Sequence, residues 1–223
     1  MSRLAFGNAN MPKICLQSLV RLIVTMEDDA EVRWHLSELL DYDIVPLLAT
    51  YIRSDDFELV YWALGLMHEF AIKGVALDDF KETRGLCRSI NMLLAAEESY
   101  ISRIVLRTLK FLMLQDPLFQ LQALSAGIGL RLAKCLASKD DDVKYWALGV
   151  AHEFVLHPQW RRQFIDSGAF AQVINIGLSS VSRKPLKAAS EILPAKEYIM
   201  DILVMMWGSS KLNVCYNPKV RVM

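Results

Sequence analysis

A ten-residue segment occurs almost twice in this chain, and the distance between the two copies limits which folds the sequence can adopt. Residues 61–70 read YWALGLMHEF and residues 145–154 read YWALGVAHEF, so the copies start 84 residues apart, which is two steps of 42. Residues 103–112, at the midpoint, keep the apolar spacing but not the identities. A self-similarity with a period in the low forties indicates a row of helical repeat units.

Glycine and proline keep the same period. They recur at spacings of 41 to 43 residues in two registers, as Gly85, Gly127 and Gly168 and as Gly74, Pro117 and Pro158. Acidic or Ser-rich stretches recur with them, at residues 54–56, 97–99 and 138–142. Because these residue types interrupt or begin helices, each repeat unit is predicted to contain three helices.

The third helix of each unit has the clearest apolar stripe. The stripe is predicted to consist of Leu59, Ala63, Met67 and Phe70 in 56–73, of Ile101, Val105, Leu109 and Leu112 in the next unit, and of Val143, Ala147, Ala151 and Phe154 in the one after. Asp55 and Glu58 are predicted to form a capping box at the start of the first of these helices. Short first helices are predicted at 118–125 and 159–166, and second helices at 129–137 and 170–178.

This cycle of helices resembles the armadillo repeat. Residues 44–48, IVPLL, are similar to the start of that family's second helix, and the Trp-Ala-Leu triplets at 62–64 and 146–148 are similar to the core of its third helix. The resemblance extends over roughly residues 30–207. It implies an all-α fold, a right-handed α-solenoid of about four armadillo-like three-helix repeats.

The repeat period also gives domain boundaries. We expect a flexible N-terminus at 1–10, a lone or partial repeat helix at 11–29, repeats at 30–74, 75–116, 117–157 and 158–210, a loop insertion near 179–194 within the last repeat, and a tail at 211–223. Neither end shows the polar outer face that terminal repeats normally carry. The chain is therefore expected to be a segment of a longer array, to form a homodimer, or to associate end to end.

Charge and cysteine usage narrow the class of partner. Lys plus Arg and Asp plus Glu each total 25, so the chain lacks the basic excess expected of a dedicated nucleic-acid binder. The four cysteines form no CxxC pair, and the most apolar windows are too short to cross a membrane. The sequence therefore predicts a protein of the cytoplasm, the nucleus or both, with no nucleic-acid partner and no membrane insertion.

Two His-Glu pairs, at 68–69 and 152–153, are the residues most suggestive of catalysis. A zinc-protease helix needs a second His four residues after the first, and those positions hold Ile72 and Leu156. The sequence also has no Ser-His-Asp order and no phosphate-binding glycine loop. It therefore predicts no catalytic residue, no metal site and no cofactor, and the protein is not expected to be an enzyme.

The armadillo resemblance implies a concave groove lined by the third helices, where partners of that family commonly lie. Counted from the Trp position at helical spacing, the groove is predicted to be lined by Trp62, Leu66, Glu69, Ile104, Arg107, Thr108, Phe111, Trp146, Val150 and Glu153. A position in the core is the alternative for both tryptophans. Gly65 and Gly149, in mid-helix beside them, indicate that a partner or the backbone of the neighbouring repeat approaches closely.

Peptide-carrying members of the family have an Asn four residues after this Trp, and here Leu66, Thr108 and Val150 occupy that place. The groove is therefore predicted to bind an amphipathic helix, a peptide or a folded domain of a partner protein, which makes the protein an interaction scaffold or adaptor subunit. One alternative is a regulator of a small GTPase, either an exchange factor or an effector, and a nucleotide-release assay separates an exchange factor from a scaffold. A nucleocytoplasmic cargo receptor is the other alternative, which the missing Asn disfavours.

Overall fold

The computed structural model of the protein describes residues 10–182 and 189–208. These residues form 13 α-helices and one short 3-10 helix, and no strand occurs among them. The predicted all-α fold is confirmed. The connections between helices are short, as expected where consecutive helices pack against one another.

The helices follow one another in sets of three after a single leading helix, α1 (Met11–Thr25). The first set is α2 (Asp29–Leu40), α3 (Ile44–Tyr51) and α4 (Phe57–Lys73), and the second is α5 (Leu77–Glu82), α6 (Leu86–Leu93) and α7 (Ser99–Gln115). The third set is α8 (Pro117–Ser125), α9 (Ile128–Leu136) and α10 (Asp141–Leu156). The last set begins with the 3-10 helix Pro158–Trp160 and continues with α11 (Arg161–Asp166), α12 (Ala169–Ser182) and α13 (Ala189–Gly208).

The periodic glycines make the turn between the first and second helix of a set. Gly85, Gly127 and Gly168 precede α6, α9 and α12 with φ between 77° and 82°, in the left-handed region that glycine adopts without steric cost. The first set has Asp43 at the same place, with φ 53°, and Asp is one of the few other residues that tolerate this conformation. Glycine therefore recurs about every 42 residues because the backbone of this turn requires the left-handed conformation in each set.

The third helices of successive sets pack side by side. Helix α4 lies between α1 and α7, and α10 lies between α7 and α13. The predicted apolar stripe is buried, as Ala63, Met67 and Phe70 on α4 show with no exposed surface, and the equivalent residues of α7 and α10 are at most 3% exposed. Leu59 is the exception, because it is only partly buried near the start of α4. The core runs without interruption from Leu16 to Ile202.

The N-cap of α4 is Asp56, so the predicted capping box of Asp55 with Glu58 is wrong. The Asp56 carboxylate accepts hydrogen bonds from the backbone N–H groups of Glu58 and Leu59, at 3.0 and 3.2 Å. Asp140 caps α10 with the same two distances, 84 residues later. A capping side chain reaches the N–H groups two and three residues onward, which places Asp55 one residue too early.

The loop insertion predicted at 179–194 is only partly correct, because the described residues at both of its ends are helical. Helix α12 extends to Ser182 and α13 begins at Ala189, so helix occupies both ends of the predicted loop. Residues 183–188 lie outside the described residues, as do the predicted N-terminal segment through residue 9 and the predicted tail at 211–223. The long step of the fourth unit therefore comes largely from longer helices, with 14 residues in α12 and 20 in α13.

Replacing Asp56 with Ala is expected to lower the melting temperature by about 2–4 °C, because the backbone N–H groups of Glu58 and Leu59 lose their acceptor. Thermal unfolding followed by circular dichroism measures this shift. The matched control is Asp55→Ala, which removes the same charge one residue earlier and should leave the melting temperature nearly unchanged. Equal shifts in the two variants would contradict the capping assignment.

Candidate functional site

The candidate site lies on the third-helix ladder, which we define as helices α1, α4, α7, α10 and α13. Each inner helix of the ladder has its apolar stripe in the core and its two flanks against neighbouring third helices. Only the remaining edge of each helix stays accessible. Aromatic and basic side chains are concentrated there, which makes this edge the first place to look for a binding surface.

Half of the groove residues predicted from the sequence are buried. Leu66, Thr108 and Val150 have no exposed surface, and Ile104 and Glu153 are 7% and 4% exposed. The Thr108 hydroxyl donates a hydrogen bond to the Ile104 carbonyl at 2.8 Å, on the flank of α7 that packs against α4. These five side chains offer almost no accessible surface. The prediction that an open groove is lined by Leu66, Ile104, Thr108, Val150 and Glu153 is therefore corrected.

The other five predicted residues keep part of their surface accessible. They are Trp62, Glu69, Arg107, Phe111 and Trp146. Both tryptophans are partly buried and pack against the hydrophobic core, so neither of the two alternatives, groove or core, describes them fully. Their rings have one side on the core and another side available to a cation or a partner.

The first aromatic cluster joins α1, α4 and α7. The ring of Tyr61 stands edge to face with that of Trp62 at a centroid distance of 5.2 Å, and with that of Tyr100 at 5.8 Å. The guanidinium carbon of Arg21, on α1, lies 5.8 Å from the Trp62 ring centre. This is the range of a cation–π contact. The cluster therefore places a cation over the Trp ring from the preceding third helix.

The second aromatic cluster repeats this arrangement on α7, α10 and α13. Tyr145 lies 5.1 Å from Trp146 and 5.8 Å from Tyr198, centre to centre. The guanidinium carbon of Arg107, on α7, lies 5.0 Å from the Trp146 ring centre. The two near-copies of the ten-residue segment thus form two equivalent arginine-covered Trp sites, two repeats apart.

Lys110 adds a second cation to the second cluster. Its ammonium nitrogen lies 5.7 Å from the ring centre of Phe111, 5.8 Å from that of Trp146 and 5.0 Å from that of Tyr198. It also donates a hydrogen bond to the Tyr198 hydroxyl at 2.5 Å. A β-carbon at Gly149 would lie 3.0 Å from the Lys110 δ-carbon, so Gly149 leaves room for this lysine to cross α10.

The prediction that a partner or the backbone of a neighbouring repeat approaches the two mid-helix glycines is therefore partly wrong. At Gly149 the neighbour is the Lys110 side chain, and at Gly65 a β-carbon would meet only Val20 side-chain atoms at 3.6 Å or more, which is ordinary contact. Neither position faces the backbone of a neighbouring repeat. Arg21 was not among the site residues predicted from the sequence. One signal could have identified it: Arg21 precedes Trp62 by 41 residues, about as far as Arg107 precedes Trp146.

The two His-Glu pairs lie in different environments. His68 is buried, its two ring nitrogens have no hydrogen-bond partner among the described residues, and its ring lies 5.2 Å from that of Phe111. Burial, together with the nearby Arg107 charge, lowers the pKa of His68 to about 4. His152 instead has Glu153 at 3.5 Å and Asp201 at 3.7 Å from its ring nitrogens.

The ionisable groups of the described residues are not arranged as a metal centre. No group of three or more His, Cys, Asp or Glu side chains is placed to hold a metal ion in the part of the chain that the structure describes. None of the helices described has both the length and the apolar character needed to cross a membrane.

Comparison with solved structures identifies the architecture. A computationally designed armadillo repeat protein for modular peptide recognition superposes with a TM-score of 0.68 at 13% identity, over 86% of this chain and 74% of that one. A designed armadillo repeat protein in complex with the peptide (KR)4 superposes with a TM-score of 0.63 at 12% identity, over 86% and 82%. An engineered protein from a structural genomics consortium gives 0.67 at 16%, over 86% and 81%.

These similarities show the fold: the chain is an α-solenoid of armadillo-like three-helix repeats. The resemblance inferred from the Trp-Ala-Leu triplets and the 42-residue period is confirmed at that level. Neither a protein-family model nor a curated protein matches the chain.

The buried His68 is expected to make stability depend on pH. Its pKa of about 4 in the folded protein lies below the ordinary value of 6.5, so the unfolded chain binds a proton first as the pH falls. Stability is therefore complete above pH 6.5 and decreases toward pH 4, by on the order of 2–3 kcal/mol.

Urea unfolding at a series of pH values measures this loss. His68→Leu should remove most of the decrease between pH 6.5 and 4, because the variant has no proton to gain at that position. His35→Leu is the matched histidine control, since the His35 side chain on α2 is only partly buried, whereas His68 is buried. An unchanged slope in His68→Leu would refute the assignment.

Proposed function

We propose that the protein is a non-catalytic binding scaffold that holds a peptide segment of a partner protein along the third-helix ladder. The observation that carries the proposal is the row of partly exposed aromatic rings, Trp62, Phe111 and Trp146, on three consecutive third helices. Similar architectures bind peptides: one neighbour was designed for modular peptide recognition and another was solved with a bound peptide.

The physical state of these rings suits a binding surface. Large aromatic side chains dominate the energy of many interfaces, and they do so best when they are rigid before the partner arrives. Trp62 and Trp146 are each held by an edge-to-face Tyr and by a cation from the preceding helix. A partner that covers the remaining ring surface would therefore lose little side-chain entropy of the scaffold on binding.

We also propose the cytoplasm or the nucleus as the location. Cys15, Cys87 and Cys135 are free thiols, and no disulfide joins them. Burial raises the pKa of Cys87 to about 12 and that of Cys135 to about 11, which keeps both as unreactive thiols at neutral pH. Unpaired buried thiols are typical of proteins in reducing compartments.

The double variant Trp62→Ala, Trp146→Ala tests the surface. Peptides are first selected from a random displayed library on the immobilised full chain, and their affinity is then measured for each variant. We expect a loss of at least about tenfold in the double variant, because truncation of an aromatic anchor typically removes 2 kcal/mol or more. Trp34→Ala is the matched control, since Trp34 is 56% exposed on α2, outside the ladder, and should bind as the wild type does.

The same variants must be compared in stability. Each ladder tryptophan is only partly buried, so its truncation is expected to lower the free energy of unfolding by about 1–2 kcal/mol, less than the 3–5 kcal/mol typical of a core tryptophan. A core-sized loss for each residue would favour a structural role. Unchanged affinity of the selected peptides for the folded double variant would exclude the ladder as the binding surface.

A further inference from the structure

We propose that the ladder binds an acidic segment of a partner protein, with a carboxylate of that segment placed at each of the two arginines that cover a tryptophan, Arg21 and Arg107. This inference rests on the proposed function and specifies the charge of the partner. It begins from a difference among the basic side chains of the third helices.

Of the seven basic side chains that the structure describes on these helices, four have an acidic partner within the protein. Arg103 pairs with Asp142 at 2.9 Å across α7 and α10. The remaining acid-paired cations are Lys13 with Glu58 at 2.8 Å, Lys144 with Asp141 at 2.5 Å, and Lys73 with Asp29. Four cations of the ladder are therefore neutralised where they lie, and they add little to its attraction for a ligand.

Arg21, Arg107 and Lys110 differ from this group. Among the described residues, no carboxylate lies within ion-pair distance of any of the three, and each lies instead over aromatic rings. All three are placed at the two Trp sites. The cations without a carboxylate partner among the described ladder side chains therefore lie beside the aromatic anchors.

A stacked guanidinium is well suited to receive a carboxylate. When a guanidinium lies flat against an aromatic ring, its in-plane N–H donors remain at the edge, where they match the two oxygens of a carboxylate. In Arg107 at least one of these donors is unsatisfied, because its Nε is buried and has no hydrogen-bond partner among the described residues. A buried donor without an acceptor is energetically unfavourable. A ligand acceptor at the same guanidinium would make the surroundings of this group more favourable.

The acidic groups nearby do not neutralise the second site. Glu153 and Asp201 are both directed at His152, at 3.5 and 3.7 Å. Glu69 is half-buried, and burial raises its pKa, although the charges of Lys73 and Arg107 oppose the shift. No carboxylate among the described residues therefore forms an ion pair with Arg107 or Lys110, although the Arg107 charge acts on Glu69 and the Glu197 charge acts on Tyr145.

A basic ligand, such as the peptide (KR)4 bound by one structural neighbour, fits this surface poorly. Arg107 and Lys110 already lie over the Trp146 ring, and Arg21 lies over that of Trp62. A lysine or arginine of a ligand would have to displace these cations and would be repelled by them. The two sites lie two repeats apart, so the fitting ligand is an extended acidic segment that reaches both.

Three displayed peptide libraries test the charge preference on the full chain. Each has random uncharged residues at alternate positions, with Glu, Lys or Gln fixed at the others. We expect enrichment from the Glu library. Enrichment from the Lys or Gln library in its place would overturn the acidic preference and leave the proposed function standing, whereas no enrichment from any library would count against both. Tighter binding of a polyuridine RNA than of the Glu peptides would also overturn the proposal.

Variants then assign the preference to the two arginines. Arg21→Gln with Arg107→Gln should weaken the selected Glu peptides at least about tenfold and reduce the salt dependence of binding. Arg103→Gln is the matched control on α7, since Arg103 is already paired with Asp142 and its variant should bind nearly as the wild type does. Melting curves establish that all variants fold. An equal loss of affinity in Arg103→Gln would show that the effect comes from overall charge, and it would overturn the assignment of the site to Arg21 and Arg107.

Discussion

The side-by-side packing of the third helices is the constraint on which the rest of this structure depends. Each inner third helix buries one side against the shorter helices of the solenoid and both flanks against its neighbours. Fully buried residues such as Met67 and Val150 occupy those three directions. Only one edge is left, and the aromatic and basic side chains emerge there because the other directions are occupied by closely packed, mostly apolar side chains.

The duplicated segment shows how far a repeated sequence produces a repeated site. Both copies give a Tyr edge to face with a Trp and an arginine over the Trp ring. The His of each copy behaves differently, because the next third helix differs. His68 contacts the phenyl ring of Phe111 and has no hydrogen-bond partner among the described residues, whereas His152 contacts Tyr198 and the Asp201 carboxylate. The segment determines the structure of its own helix, whereas the electrostatic environment of its His side chain depends on the neighbouring third helix.

The proposed binding surface follows from the same geometry. Cation–π contacts hold Arg107 and Lys110 in place without neutralising them, since an aromatic face attracts a cation while carrying no net charge. An ion pair would have fixed the side chains equally well and removed the charge that a partner could use. A row of rings and unneutralised cations on a rigid ladder is therefore suited to holding a ligand.

The sequence by itself determined the repeat period, the three-helix units, the buried stripe and the glycine turns, because each of these depends on contacts within a few residues or on backbone conformations that few residues tolerate. It misplaced the N-cap by one residue, and it assigned residues 179–182 and 189–194, which are helical, to a loop. Only the tertiary structure decided which predicted groove residues are accessible. Leu66 and Phe111 both follow the groove register, yet the adjacent third helix covers one and leaves part of the other open, since the covering atoms come from residues about forty positions away.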